Sequence, residues 1–247
     1  MLPQKILSLQ HPFVKHWKKL CMEKAYRETE SSILIFGKKM VKEATSLFPI
    51  KRLLIGPHNS FTISAPEMYI LSEGIFKKIS GMQNPELIAA EITLPTPTSL
   101  YDKRYLLALD RIADPGNLGT LIRSAWAFGI EGVLLLAGCV DIFNDKALRA
   151  AKGASLRIPF QYIEESELSL YSHHNFTLYV ADIKGNNFET TPYKPPLILL
   201  LGNEAQGISK GLHKMGKKIT IPMKNSTNSL NVSIAGSLLL YHISTSS

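Results

Sequence analysis

The stretch YLLALDRIADPGNLGTLIRSAWAFGIEGVLLLAG, residues 105–138, contains one complete strand–helix–strand unit. Two apolar runs are bounded by turn-forming residues, and apolar side chains recur at helical spacing between them. Strands as apolar as these are typical of a parallel sheet that helices cover on both faces. This segment therefore predicts an α/β fold, and the rest of the chain is interpreted outward from it.

The same alternation of strands and helices continues toward the C-terminus. Four further apolar runs predict strands at IPFQYI (158–163), TLYVAD (177–182), LILLLG (197–202) and ITIPM (219–223). A smaller alternating unit comes first, with strands predicted at ILIF (33–36), RLLIG (52–56), YILS (69–72) and LIAAEI (87–92). Prolines and other turn formers separate the two parts. We therefore predict a small α/β domain over residues 1–95, a linker over 96–104 and a second domain over 105–247.

Positive charge is concentrated near the N-terminus. Residues 1–52 hold eleven Lys or Arg against four Glu, whereas the formal charge of the whole chain is +8. A basic flank of this kind is typical of a protein that binds a polyanion such as RNA. The alternative is a solvated basic face that only favours solubility. The candidate RNA-binding residues lie on two predicted helices: Lys15, Lys18, Lys19, Lys38 and Lys39.

Several classes of protein are disfavoured by simple features of the chain. No apolar run approaches the ~18–20 residues that cross a bilayer, and the first residues lack the features of a signal peptide. The two cysteines, Cys21 and Cys139, are far apart and have no metal-ligand spacing. These features predict reduced thiols, no metal site and a cytoplasmic protein.

The loops that follow the predicted parallel strands are the candidate sites, because such sheets bind ligands at the carboxyl ends of their strands. The first loop and its helix are DPGNLGTLIRSAWAFG (114–129). We predict that Asn117 caps this helix and that Arg123 lies on its polar side. The glycine pattern of a dinucleotide-binding fold is missing after every strand, which disfavours a dehydrogenase.

Two further loops combine glycine with polar residues. In LILLLGNEAQGIS (197–209), Glu204 follows the strand, where a cap, a surface charge and a ligand contact are all reasonable roles, and a helix is predicted from Gln206. In IPMKNSTNSLNVSIAGSLLLYHI (221–243), a polar run precedes a helix that is apolar on most sides. We expect Ser229 to cap that helix, and its apolar surface to be buried in the core or against a partner.

Taken together, the three loops resemble the three ordered motifs of the SpoU (TrmH-type) RNA ribose 2′-O-methyltransferases of the SPOUT superfamily. The resemblance covers residues 105–243. A fainter one covers residues 1–95, where HPFVKHWKKL and ILIFGKKMVKEA are similar to the L30e-like RNA-binding domain of many members. The family fold is a trefoil-knotted parallel sheet, which implies that the polar run after Met223 is a knotted loop. It also implies an S-adenosylmethionine cofactor and a homodimer through the final helix.

The resemblance also assigns roles to individual residues. It implies a catalytic set of five polar residues: Asn117, Arg123, Glu204, Ser229 and Asn231. Three residues fall where family members contact the cofactor, largely through the backbone: Gly202, Ile221 and Leu230. The sequence departs from the family at Asn225, where a glycine is usual.

The implied reaction is an attack of a ribose 2′-hydroxyl on the methyl group of S-adenosylmethionine. Family accounts make the arginine a base, but a guanidinium stays protonated in proteins, so we expect Arg123 to stabilise the developing alkoxide. Ribosomal RNA is the favoured substrate and transfer RNA the alternative. A second alternative is a non-catalytic RNA-binding or ribosome-assembly protein on the same scaffold.

Overall fold

The computed structural model describes residues 3–57, 63–203, 206–224 and 229–246. The chain divides into two compact units. The first comprises residues 1–96 together with 143–156, and the second comprises residues 97–142 and 157–247. No pattern in the sequence indicated that residues 143–156 belong with the first unit. None of the described helices is both long and apolar enough to cross a membrane.

The first unit is built on a five-stranded sheet with strand order β1-β4-β3-β5-β2. Its elements in chain order are β1 (Gln4–Ile6), α1 (Pro12–Met22), α2 (Lys24–Glu30), β2 (Ser32–Phe36), α3 (Lys38–Ala44), β3 (Ile50–Ile55), β4 (Glu67–Leu71), α4 (Glu73–Ser80) and β5 (Ile88–Thr93). Strand β5 runs antiparallel to β2 and β3, and the other pairs are parallel. The four strands predicted from sequence are present, whereas β1 and α4 were not predicted.

A buried ionic network joins α1 to this sheet. The carboxylate of Glu91 is only 1% exposed and accepts hydrogen bonds from Arg52 at 2.9 and 3.0 Å and from Trp17 Nε1 at 3.0 Å. His16 Nε2 lies 3.3 Å from the same carboxylate. Burial alone raises the pKa of Glu91, but the hydrogen bonds from His16 and Arg52 outweigh burial and lower this pKa to about 2. The helix that carries the N-terminal lysines is therefore fixed to the sheet by a charged group.

The second unit is built on a six-stranded parallel sheet with strand order β11-β9-β10-β6-β7-β8. The elements from residue 105 onward are β6 (Tyr105–Asp110), α5 (Pro115–Ala127), β7 (Gly132–Leu135), α6 (Asp145–Ala151), β8 (Phe160–Tyr162), α7 (Glu165–Leu168), α8 (Leu170–His173), β9 (Thr177–Asn187), β10 (Leu197–Gly202), β11 (Lys217–Thr220) and α9 (Val232–Thr245). Of these, α6 lies in the first unit. The predicted α/β class with a parallel sheet is confirmed.

Helices α5 and α9 pack closely on each other at Gly236. A β-carbon at this position would lie 2.4 Å from Leu121 Cδ2 and 2.6 Å from Leu201 Cδ1, so any larger residue would require these leucine side chains to shift. The hydroxyls of Ser124 and Ser237 are 2.7 Å apart across the same contact. Within the described part of the chain, three large apolar side chains of α9 stay exposed: Ile234, Leu238 and Tyr241.

Candidate active site

A cavity of about 400 Å³ opens at the carboxyl edge of the second sheet. Its described lining comes from the middle of β9, from the ends of β10 and β11, from the segment after β10, and from α9 with the residues before it: Ala181, Asp182, Ile183, Leu201, Gly202, Asn203, Gln206, Gly207, Ile208, His213, Ile219, Thr220, Ile221, Met223, Ser229, Leu230, Val232, Ala235 and Leu239. All three residues predicted to contact a cofactor, Gly202, Ile221 and Leu230, belong to this lining. This volume suits a small-molecule ligand.

The register of the sheet sets the order of groups along this edge. Gly202 on β10 pairs with Asp110 on β6, and Leu200 pairs with Val180 on β9, so Asp182 lies level with Gly202. Neighbouring strands are about 4.8 Å apart. The edge therefore presents β11, β9, β10 and β6 in that order, with the cavity on the β9 side of β10.

The first and second loops are tied together beside the cavity. The buried carboxylate of Asp110 accepts hydrogen bonds from the amide and the hydroxyl of Ser209, at 2.8 and 2.9 Å. Arg111, whose φ of 56° is left-handed, donates to Gln206 Oε1 at 2.8 Å. The Asn203 side chain donates to the Arg111 carbonyl at 3.0 Å. Sequence reasoning missed this connection, because the partners are about a hundred residues apart.

Gly202 is needed where the second loop turns back on itself. A β-carbon at Gly202 would lie 2.5 Å from Ile208 Cγ1 and 2.7 Å from the carbonyl carbon of Gly207. The helix predicted from Gln206 is wrong, since only a short 3-10 turn forms, at Leu212–Lys214. Gly207 has a left-handed φ of 66°, a conformation that ends helices rather than starting them, and its amide donates back to the Asn203 carbonyl at 2.8 Å.

The first and third motifs meet through a pair of asparagines. Asn231 Nδ2 donates to Asn117 Oδ1 at 3.1 Å, across 114 residues of sequence. Both predictions of helix caps are wrong by a few residues. Asp114 caps α5 by accepting from the Asn117 amide, and Asn231 rather than Ser229 caps α9 by accepting from Ser233 and Ile234. Asn117 therefore lies in the first turn of α5 and Asn231 at the start of α9. Asn231 directly follows the cavity-lining residues Ser229 and Leu230 in the sequence.

The remaining members of the predicted catalytic set are placed differently. Ser229 is exposed and lines the cavity. Arg123 is exposed on α5, makes no hydrogen bond or ion pair within the described part of the chain, and is not among the described lining residues. Glu204 and Asn225 lie outside the described residues. The structure thus brings Asn117, Asn231 and Ser229 to one region and leaves Arg123 on the neighbouring helix surface.

An ion pair at the cavity was not predicted from sequence. Asp182 Oδ2 lies 3.1 Å from His213 Nδ1 and 2.9 Å from Lys218 Nζ, and the carboxylate is 8% exposed. Burial alone raises the pKa of Asp182, but the Lys184 amide and the Lys218 ammonium outweigh burial, so this pKa lies below its ordinary value. The only signal in the sequence was an aspartate at a strand end in TLYVAD.

The five candidate RNA-binding lysines lie on two helices of the first unit. Lys15, Lys18 and Lys19 are exposed on α1, where Lys19 Nζ sits 5.2 Å from the centre of the Tyr26 ring. Lys38 and Lys39 are exposed at the start of α3, and Lys39 Nζ lies 4.0 Å from Glu43 Oε1. All five ammonium groups are therefore accessible to a polyanion.

Two family models match the chain. Residues 104–241 match the model of the SpoU rRNA Methylase family. Residues 11–90 match that of the MRM3-like substrate binding domain. The first match contains the whole cavity lining and both asparagines, and the second contains all five candidate lysines.

Individual proteins are similar over nearly the whole chain. The 23S rRNA (guanosine(2553)-2'-O)-methyltransferase RlmP of Bacillus subtilis (strain 168) is 32% identical over 97% of this chain and 99% of its own. The human mitochondrial rRNA methyltransferase 3 is 22% identical, over 87% of this chain and 68% of its own. The crystal structure of an AdoMet-bound rRNA methyltransferase from Sinorhizobium meliloti superposes with a TM-score of 0.86 at 27% identity, covering 97% of each chain.

Proposed function

Because the chain belongs to the SpoU rRNA Methylase family, we propose that it transfers the methyl group of S-adenosylmethionine to a ribose 2′-hydroxyl of ribosomal RNA, of the 23S type. The observation that carries the proposal is the cavity at the sheet edge with the Asn117–Asn231 pair beside it. In this proposal the cavity holds the cofactor and the asparagine pair binds the substrate, so the two bound molecules are adjacent, as a group transfer between them requires.

The lining of the cavity fits the cofactor. Its walls are mostly aliphatic, and the open space beside Gly207, where a β-carbon would meet nothing within 4 Å, lets a ligand approach the main chain. Gly202, Ile221 and Leu230 would hold the cofactor, whose sulfonium supplies an electrophilic methyl group when bound. The protein then needs only to orient the hydroxyl and to stabilise its developing negative charge.

Four described polar side chains divide this work in the proposal. Asn117 and Asn231 are fixed by their mutual hydrogen bond and by the caps of α5 and α9, so that both amide groups have defined positions relative to the RNA. Ser229 adds a hydroxyl at the cavity itself. Arg123 carries a permanent positive charge that stabilises the alkoxide or binds the adjoining phosphate. Glu204 completes the proposed catalytic set.

Transfer of labelled methyl groups to defined RNA fractions tests the proposed methyltransferase activity. Radiolabelled S-adenosylmethionine is incubated with the protein and with transfer RNA, 16S RNA, 23S RNA or undermethylated large subunits. We expect label in the 23S fraction, recovered after nuclease digestion as a 2′-O-methylnucleoside. Label confined to transfer RNA would overturn the ribosomal assignment. Absence of label from every fraction would overturn the enzymatic function in favour of a binding protein.

The N-terminal unit binds the RNA in this proposal. Replacing Lys15, Lys18 and Lys19 together with glutamine should weaken RNA binding at least ~10-fold at low salt and reduce the slope of log K against log salt by about 3, one per lost phosphate contact. Filter binding across a salt series measures both quantities. Replacing the exposed Lys146, Lys152 and Lys210 with glutamine is the control, matched in charge. Equal effects of the two triple variants would contradict a defined RNA surface on α1.

A homodimer through α5 and α9 is also part of the proposal. An exposed apolar face supports this proposal. On α9, Ile234, Leu238 and Tyr241 are 54%, 43% and 56% exposed. Phe128 packs edge-on against Tyr241 on the same face, and a hollow of about 360 Å³ lies between the helices. Such a patch is unfavourable in water unless a partner covers it.

Replacing Leu238 with glutamate should convert the dimer to a monomer, because a charge cannot be buried in an apolar contact without a partner. Size-exclusion chromatography with light scattering measures the mass. The matched control is Leu170→Glu, since Leu170 is also 43% exposed but lies on α8. A Leu238→Glu protein with unchanged mass would contradict this interface.

The proposed location is the cytoplasm, where ribosomal RNA is available and thiols stay reduced. Both cysteines are free, which is consistent with such a compartment.

A further inference from the structure

The cavity contains one pair of ionisable side chains. Among its described lining residues, only Asp182 and His213 can carry a charge, and the others are apolar, glycine or neutral polar residues. The described lining therefore concentrates its strongest hydrogen-bonding groups at one point. The cofactor contacts proposed at Gly202, Ile221 and Leu230 do not account for this pair.

The pair is held in a defined orientation. Asp182 Oδ1 accepts from the Lys184 amide at 3.0 Å, and Oδ2 receives both His213 and Lys218. His213 stands on the 3-10 turn that the buried Leu212 anchors. Because Nδ1 of the imidazole faces Asp182, Nε2 lies on the opposite side of the ring and is available to a ligand.

The pair lies at the end of the cavity away from the proposed reacting groups. Asp182 is on β9, whereas Asn117 follows β6, and β10 lies between these two strands. Two strand spacings amount to about 10 Å. A ligand that places its methyl group near Asn117 and Asn231 would thus extend another part of itself toward His213.

We propose that His213, oriented by Asp182, binds S-adenosylmethionine by accepting a hydrogen bond from a hydroxyl or amine of the cofactor remote from the methyl group. This inference rests on the proposed function. Donors of this chemistry occur on both arms of the cofactor, as the ribose and adenine of the adenosyl group and as the ammonium of the amino acid. A hydrogen bond of this kind fixes the cofactor along the cavity.

A purely structural role for the pair makes a different prediction. If Asp182 only attaches the 3-10 turn and β11 to β9, then His213 and Lys218 are equivalent partners of the same oxygen. Lys218 also contacts Asp182 but is not among the described lining residues. Removing Lys218 therefore probes attachment without removing a ligand contact.

Calorimetric titration with S-adenosylhomocysteine, which binds without turnover, separates the two roles. The variants are His213→Ala, His213→Asn and Lys218→Met. Asparagine can replace Nδ1 as the donor to Asp182 but has no counterpart of Nε2. We expect both His213 variants to raise Kd at least ~10-fold, the loss of about one hydrogen bond, while His213→Asn keeps the melting temperature of the wild type. Lys218→Met should leave Kd unchanged.

Other results would overturn the inference in recognisable ways. Wild-type affinity in His213→Asn, or an equal loss in Lys218→Met, would leave only the structural role. A wild-type protein that does not bind S-adenosylhomocysteine would overturn the proposed function, and with it this inference. Titration with 5′-methylthioadenosine, which lacks the amino-acid arm, distinguishes the donors. If the His213 variants also bind 5′-methylthioadenosine with a raised Kd, the donor to His213 lies on the adenosyl group. If their Kd for this ligand equals that of the wild type, the donor is the ammonium.

Discussion

Replacing Arg123 with alanine is expected to lower the rate of methyl transfer by about 10³-fold, the scale seen when a group that stabilises developing negative charge is removed. The substitution should leave stability within about 0.5 kcal/mol, because surface changes without partners have small effects. Arg123 is exposed and makes no hydrogen bond or ion pair within the described chain. Transfer of labelled methyl to 23S RNA, with RNA affinity and melting temperature recorded in parallel, measures the effect.

The matched control is Arg104→Ala, which removes an exposed arginine elsewhere in the second unit. Its methyl transfer should stay within twofold of the wild type. Arg123→Lys tests geometry, since lysine keeps the charge but not the planar fork of the guanidinium. Wild-type turnover in Arg123→Ala would exclude both proposed roles of this residue, alkoxide stabilisation and phosphate binding.

Replacing Glu91 with alanine should lower the free energy of unfolding of the first unit by about 3–5 kcal/mol, the usual cost of removing one partner of a buried ion pair. The substitution leaves Arg52, Trp17 and His16 without the carboxylate that pairs with them. Urea unfolding followed by fluorescence measures the change, because the buried Trp17 contacts this carboxylate directly. Glu67→Gln is the control, since Glu67 bonds the same arginine but is 40% exposed. Its cost should be below about 1 kcal/mol.

The pH dependence of a further variant, Glu91→Gln, provides an internal check. The pKa of Glu91 is about 2 in the folded protein against an ordinary value of 4.5, so the carboxylate stabilises the fold most at pH values above 4.5. That stabilisation, about 3 kcal/mol, should decline as the pH falls from about 4.5 to about 2. The difference in unfolding free energy between wild type and Glu91→Gln should therefore shrink over this range. A difference that stays constant would show that Glu91 is not ionised in the fold.

Sequence patterns alone locate much of the candidate site. Described residues that follow Gly202 and Met223 line the cavity, and Gly202, Ile221 and Leu230 are all part of that lining. The errors concern which residue in a short polar run performs which task. Asp114 and Asn231 are the caps instead of Asn117 and Ser229, because the N-cap is the residue at which the backbone enters the helix. Several residues in each run can cap equally well by type.

The sequence by itself determined the α/β class, the apolar strands of the parallel sheet and the positions of its polar loops. Those features follow from local periodicity and turn chemistry, which a continuous stretch of chain contains. Only the tertiary structure decided that Asn117 meets Asn231, that Asp110 binds Ser209 and that Asp182 binds His213. Each of these contacts depends on the strand order β11-β9-β10-β6, which brings distant segments to one edge of the sheet. The strand order cannot be read from any local stretch of sequence, because the order depends on how all six strands pack together.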